Sequence, residues 1–148
     1  MQRGAVERHH ATGLNTSIPI LPELLKEAGY KNYLVGKWHL GYCHDDYLPN
    51  NRGFDYFFGQ YNHMADYYHR KVPFSKRFPD STFAQGAHDL HENFEPSYEG
   101  DGMFSPVLYS SKAASLIRKH DKSQPLFLYL AFQTPHMDLM QPPKKYEV

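Results

Sequence analysis

Only one cysteine, Cys43, stands among the 148 residues, so no disulfide can close within the chain and no cysteine-based zinc site can be built. Net charge is absent as well, with Lys+Arg and Asp+Glu both numbering 16. A general nucleic-acid binder needs a basic excess to displace counterions from phosphates, and that class is excluded. Long apolar runs are missing: the longest, Leu126 to Phe132, falls far short of the roughly 20 residues that cross a bilayer, so no membrane span is expected. Met1 to His10 carries Arg3, Glu7, Arg8 and two histidines with no apolar run after it, and no signal peptide is expected there. Leu, Ile, Val and Phe supply 32 of the 148 residues, just above the roughly 20% level below which disorder becomes the better reading. Glycine and proline, 10 and 11 residues, predict a loop-rich chain around a modest core. The length suits one domain or a piece of one.

What is present begins with a period. Leu21, Leu24, Leu25 and Ala28 follow the i, i+3, i+4, i+7 spacing of one helix face, with Pro22 in the first turn and Gly29 as the stop. Tyr33, Leu34 and Val35 then favour a strand, which Gly36 and Gly41 turn into irregular backbone. Residues 42 to 106 keep no period for long, and the aromatic cluster Phe54, Tyr56, Phe57, Phe58, Tyr61, Tyr67 and Tyr68 is expected to pack short helices and turns. Val107, Leu108, Ala113, Ala114 and Ile117 share one flank of a later helix, whose end carries Arg118, Lys119 and His120. The unbroken run Leu126 to Phe132, between Pro125 and Pro135, reads as a strand covered on both faces. Helix, strand, long insertion, helix, strand is the order of an α/β sheet with parallel strands.

In such sheets ligands bind beyond the carboxyl ends of the strands. The first strand runs into Lys37 and His39, the second through Gln133-Thr134-Pro135 into His136. Residues two apart in extended chain face one side, which pairs Lys37 with His39 and turns Trp38 into packing. One lysine and two histidines at a sheet edge suit binding a tetrahedral anion and moving protons. The other reading of the same residues is a solvated loop lysine and a hydrogen-bonded core histidine.

Gly36-Lys37-Trp38-His39-Leu40-Gly41 resembles the strongest internal signature of the sulfatases. Leu21 to Tyr30 resembles the helix before it, and Leu48-Pro49, Arg52-Gly53-Phe54-Asp55, Phe58-Gly59 and Asp66-Tyr67-Tyr68 resemble the arylsulfatase B-like branch after it. Leu126 to Phe132 with His136 resembles the later strand and its histidine, so that most of residues 12 to 146 is covered, though 72 to 102 matches little. The resemblance implies a partial alkaline-phosphatase-like fold, with residues 1–11 outside it and residues 12–148 as part of a catalytic domain. It implies hydrolysis of sulfate esters, with a sulfated small molecule or glycan as substrate, and a lysosomal or secreted glycoprotein. By the same resemblance Lys37 binds sulfate oxygens, His39 bonds a formylglycine nucleophile and helps expel sulfate, and His136 contacts sulfate and protonates the leaving alcohol.

The departures matter as much. Cys43 is followed by His44-Asp45-Asp46-Tyr47 and lacks the Cys-x-Pro-x-Arg context, so it is not the formylglycine precursor. The family's Ca²⁺ ligands have no match here: Asp45-Asp46 sits in a polar loop after the lysine motif, and Ca²⁺ needs six or more oxygens. The second sulfate-binding lysine is also missing, and Asp138 stands where the family often has proline. The chain therefore reads as the middle of a sulfatase, and alone it is expected to be inactive. A phosphatase or phosphodiesterase of the same superfamily, and a non-catalytic glycan-binding remnant, are the alternatives. His9-His10 and His88-x-x-His91 are expected to be surface histidines and Lys144-Lys145 a solvated pair. Asn15-Thr16-Ser17 is a glycosylation sequon with meaning only in a secreted chain.

Overall fold

The computed structural model describes residues 6, 11–72, 86–136 and 143. The readings made on His9-His10, Asp138, Lys144-Lys145 and the opening stretch apart from Val6 lie outside them. A five-stranded sheet has the order β6-β5-β2-β1-β7. Its strands are β1 (Lys31–Lys37), β2 (Tyr56–Gln60), β5 (His91–Glu92), β6 (Glu95–Pro96) and β7 (Leu126–Ala131). A two-stranded ribbon joins β3 (Lys71–Val72) to β4 (Ala87–His88). Among the described residues, two helices, α1 (Leu21–Glu27) and α2 (Ser105–Lys119), complete the regular structure with two 3₁₀ turns at Asp45–Tyr47 and Pro49–Arg52.

The parallel α/β arrangement is confirmed. β1 pairs in parallel with β2 on one side and β7 on the other, with Gly36 opposite both Gly59 and Ala131. A strand flanked on both edges and covered on both faces buries successive side chains, and Leu34 and Val35 are fully enclosed. Leu34 joins Trp38, Leu48, Phe54, Phe57 and Tyr61 in one core; Val35 joins Phe58, Leu90, Leu108, Tyr109 and Ala113 in the other. The sheet lies between these two cores.

Four expectations change. The aromatic cluster is not loop packing alone: Tyr56 to Gln60 is β2, a central strand between β1 and β5. Its rings alternate between the two cores, Phe57 to one and Phe58 to the other, which hides the polar/apolar alternation by which a strand is read. β7 is the outermost strand of this sheet, and Tyr129 is half exposed, so the run is not covered on both faces by the described residues. The α1 stripe also faces outward, Leu21 and Leu24 being 56% and 51% exposed while Pro22 is buried. Likewise Ser105, Leu108, Tyr109 and Ala113 form the buried face of α2, whereas Val107 and Ile117 are exposed.

Polar side chains tie α1 to the sheet. Asn32, fully buried in β1, donates from Nδ2 to the Pro22 and Gly53 carbonyls at 2.7 and 2.9 Å. Arg52 donates from Nε to Glu23 Oε1 at 2.8 Å and from its Nη atoms to the Leu14 and Ile18 carbonyls at 3.3 and 3.0 Å. Glu23 Oε2 in turn accepts the Ile20 N–H at 2.6 Å at the start of α1.

Candidate active site

The carboxyl ends of β1, β2 and β7 lie side by side because the three strands run in parallel register. Lys37 is the last residue of β1. The next two N–H groups continue onto the β2 exit, Trp38 donating to the Gln60 carbonyl at 2.9 Å and His39 to the Tyr61 carbonyl at 3.0 Å. Trp38 is buried as expected, and its indole N–H is shared between the Gly41 and Tyr47 carbonyls at 3.1 and 2.9 Å. His39 adopts φ +59°, a left-handed conformation uncommon outside glycine, so the chain turns there rather than remaining extended. Lys37 and His39 nevertheless border one open cleft of about 470 Å³, walled opposite by Tyr129 and Phe132.

Lys37 is half-buried at this edge, and no carboxylate among the described residues pairs with it. Burial pushes its ammonium below the ordinary lysine range. A desolvated, unpaired ammonium is a ready partner for an anion entering the cleft. The His39 Nε2 lies 2.8 Å from the Val6 carbonyl, which can only accept, so Nε2 carries the proton. His136 follows β7 through a cis Thr134-Pro135 bond and does not border the Lys37 cleft. Its backbone N–H donates to the Tyr67 hydroxyl at 3.1 Å, and its Nδ1 is buried without a hydrogen-bond partner among the described residues. Burial raises the Tyr67 hydroxyl's pKa against the lowering effect of that N–H, so it stays protonated. Gln133, buried on the way, donates to the Ala65 carbonyl at 2.7 Å and ties the β7 exit to the β2 exit.

The sequence reading missed His63, whose ring stacks on His39 with centroids 4.4 Å apart and planes 21° apart. It also missed Asp89, whose carboxylate accepts the Tyr61 and Asn62 N–H groups at 3.0 and 2.8 Å and fixes the backbone that leads to His63. Both become visible only once residues 56–60 are known to be a strand, because the place of His63 follows from where β2 ends and that of Asp89 from the pairing of β2 with β5.

The residues present do not fit Ca²⁺. Among the described residues no three His, Cys, Asp or Glu side chains converge on a possible ion. Asp45 and Asp46 lie exposed on a 3₁₀ turn, with Asp46 3.4 Å from His44. His88 and His91 do not share a helix: His88 bonds the Ser97 carbonyl at 2.6 Å, and His91 stacks on Tyr61. Cys43 is exposed.

Comparison with known proteins accords with this geometry. Arylsulfatase J of Mus musculus is 40% identical over 129 residues, which cover 86% of this chain and 20% of the mouse protein. N-acetylgalactosamine-6-sulfatase of Rattus norvegicus is 35% identical over 126 residues, covering 84% of this chain and 23% of that one. Among solved structures, Ps i-CgsB in complex with k-i-k-neocarrahexaose superposes with a TM-score of 0.77 at 25% identity, over 95% of this chain and 32% of that one. The chain thus spans about a fifth to a third of the proteins it matches. The family model described as Sulfatase matches residues 2–148, and the chain belongs to the sulfatase family.

Proposed function

We propose that this chain is the sulfate-gripping part of a sulfuric ester hydrolase, with residues 12–148 contributing to its catalytic domain. The observation that carries the reading is Lys37: a desolvated ammonium with no carboxylate partner among the described residues, ending a central parallel strand beside His39. Lys37 binds the sulfate oxygens. His39 acts on the proton of the nucleophile, and His136, on the neighbouring β7 exit outside the Lys37 cleft, is the residue to which the family resemblance gives protonation of the leaving alcohol. The substrate is a sulfated glycan, of the glycosaminoglycan kind. Support comes from a structural neighbour in complex with a neocarrahexaose and from a relative that is an N-acetylgalactosamine-6-sulfatase. The full-length enzyme is a lysosomal or secreted glycoprotein that binds Ca²⁺ through residues beyond this chain.

Two outcomes test this. Calorimetric titration of the 148-residue chain with inorganic sulfate should show binding that Lys37→Ala weakens roughly 10- to 100-fold, the worth of one charge-assisted bond. Because the Lys37 pKa is lowered, its charge is present in acid and disappears as pH rises through that lowered value, so affinity should fall with rising pH. Equal affinity in the variant refutes the lysine's role. In a separate assay with an arylsulfate, the chain alone should show no turnover, since its one cysteine lacks the context for conversion to a nucleophile. Turnover that vanishes in His39→Ala would contradict this and demand another nucleophile.

A further inference from the structure

We infer that His63 is a positioning residue for His39, its stacked imidazole holding the His39 ring at the angle from which it meets a sulfate beside Lys37. The inference rests on the sulfate reading and adds to it a residue from the segment that follows β2. An imidazole attached through a flexible Cβ–Cγ bond has a broad torsional well, which a hydrogen bond to the ring narrows only in part. His39 has such a bond, from Nε2 to the Val6 carbonyl at 2.8 Å. The His63 ring, 4.4 Å away and 21° from parallel, adds a face contact that narrows the well further.

The backbone beneath the stack is built to hold it. His39 N–H donates to the Tyr61 carbonyl at 3.0 Å, so the two histidine segments share one peptide unit as a common anchor. The buried Asp89 carboxylate accepts the Tyr61 and Asn62 N–H groups, and Gln60 Nε2 donates to the Asn62 carbonyl at 3.0 Å. Asn62 Oδ1 then accepts the His63 N–H at 3.2 Å. Every peptide from the end of β2 to His63 is therefore tied. The role asks of His63 a flat ring rather than a proton, and this separates it from a second acid or base.

The test uses the 148-residue chain with His63→Ala and His63→Phe variants and two readouts: the His39 ring signals in NMR spectra, and the dissociation constant for inorganic sulfate. Stacking shifts ring protons upfield. His63→Ala should lose that shift at His39 and weaken sulfate binding about three- to tenfold, the worth of one aromatic pair. His63→Phe should restore both, which loss of a hydrogen-bonding or charged histidine would not allow. The inference also requires the dispersed amide signals of β1 to persist in His63→Ala; if they vanish together with the His39 shift, His63 holds the fold and not the ring. Unchanged His39 signals and sulfate affinity in His63→Ala, or a His63→Phe chain as impaired as His63→Ala, overturn it. Absence of sulfate binding in all three proteins overturns the sulfate reading itself, and the His39 ring signal still decides whether His63 positions that ring.

Discussion

Arg52→Ala is expected to destabilise the fold by about 3–5 kcal/mol, the cost of removing one partner from a buried ion pair. Arg52 is only 2% exposed and spends its guanidinium on Glu23 and on two carbonyls of the segment before α1. Its loss leaves those carbonyls without that donor and the Glu23 carboxylate with only the Ile20 N–H of the donors described above. Melting should fall by roughly 10 °C or more for a chain of this size. Acid supplies the second reading. Burial alone would raise the Glu23 pKa, but the Arg52 bond, the Ile20 N–H and the Arg52 charge together outweigh it and hold the carboxyl below its ordinary value of 4.5. The Glu23 contribution is therefore fully present above that ordinary value and is lost as pH falls through the lowered one. Wild type should lose stability over that acid window, and Arg52→Ala, already without the pair, should lose much less there. Arg52→Lys keeps the charge but not the fork and should fall between the two. Melts of the three proteins at neutral and acid pH check this; a variant that melts with wild type at neutral pH would show that the pair contributes nothing.

Gly36→Ala and Gly59→Ala are each expected to cost more than about 4 kcal/mol, enough to abolish the cooperative fold of a marginally stable chain. A Cβ on Gly59 would sit 1.8 Å from the Gly36 carbonyl oxygen, and one on Gly36 would sit 2.0 Å from the Ala131 carbonyl oxygen. Both obstacles are backbone of a paired strand, which cannot move aside without parting β2 from β1 or β1 from β7. Gly36 also has φ +114°, which L-residues avoid. Gly29→Ala is the control: φ +84° with nothing within 4 Å of the added carbon, for a cost of about 1–2 kcal/mol from the left-handed backbone alone. Far-UV circular dichroism and melting of the three variants decide the matter. If Gly59→Ala is as mild as Gly29→Ala, the β1–β2 register is wrong, and the link from Tyr61 to His39 that aligns the two histidines is wrong with it.

These glycines also mark the reach of sequence reading. Gly36 was legible as the point where a strand gives way, and the Gly36 to Gly41 signature carried Lys37 and His39 with it. What Gly36 touches was not legible, because the touching atoms belong to chain nearly a hundred positions later.

The sequence by itself determined α1 and α2, β1 and β7, the parallel α/β class and the family, because each rests on local pattern: a 3.6-residue period, an apolar run between prolines, six contiguous residues of a signature. The tertiary structure alone decided the rest. β2 has no readable period since both of its faces are buried, and only its pairing with β1 reveals it. Leu21 and Leu24 obey the helical spacing yet face outward, because periodicity records which residues share a face and not whether anything covers it. His63 reaches His39 because parallel strands bring their carboxyl ends to one edge, an adjacency that no spacing along the chain encodes.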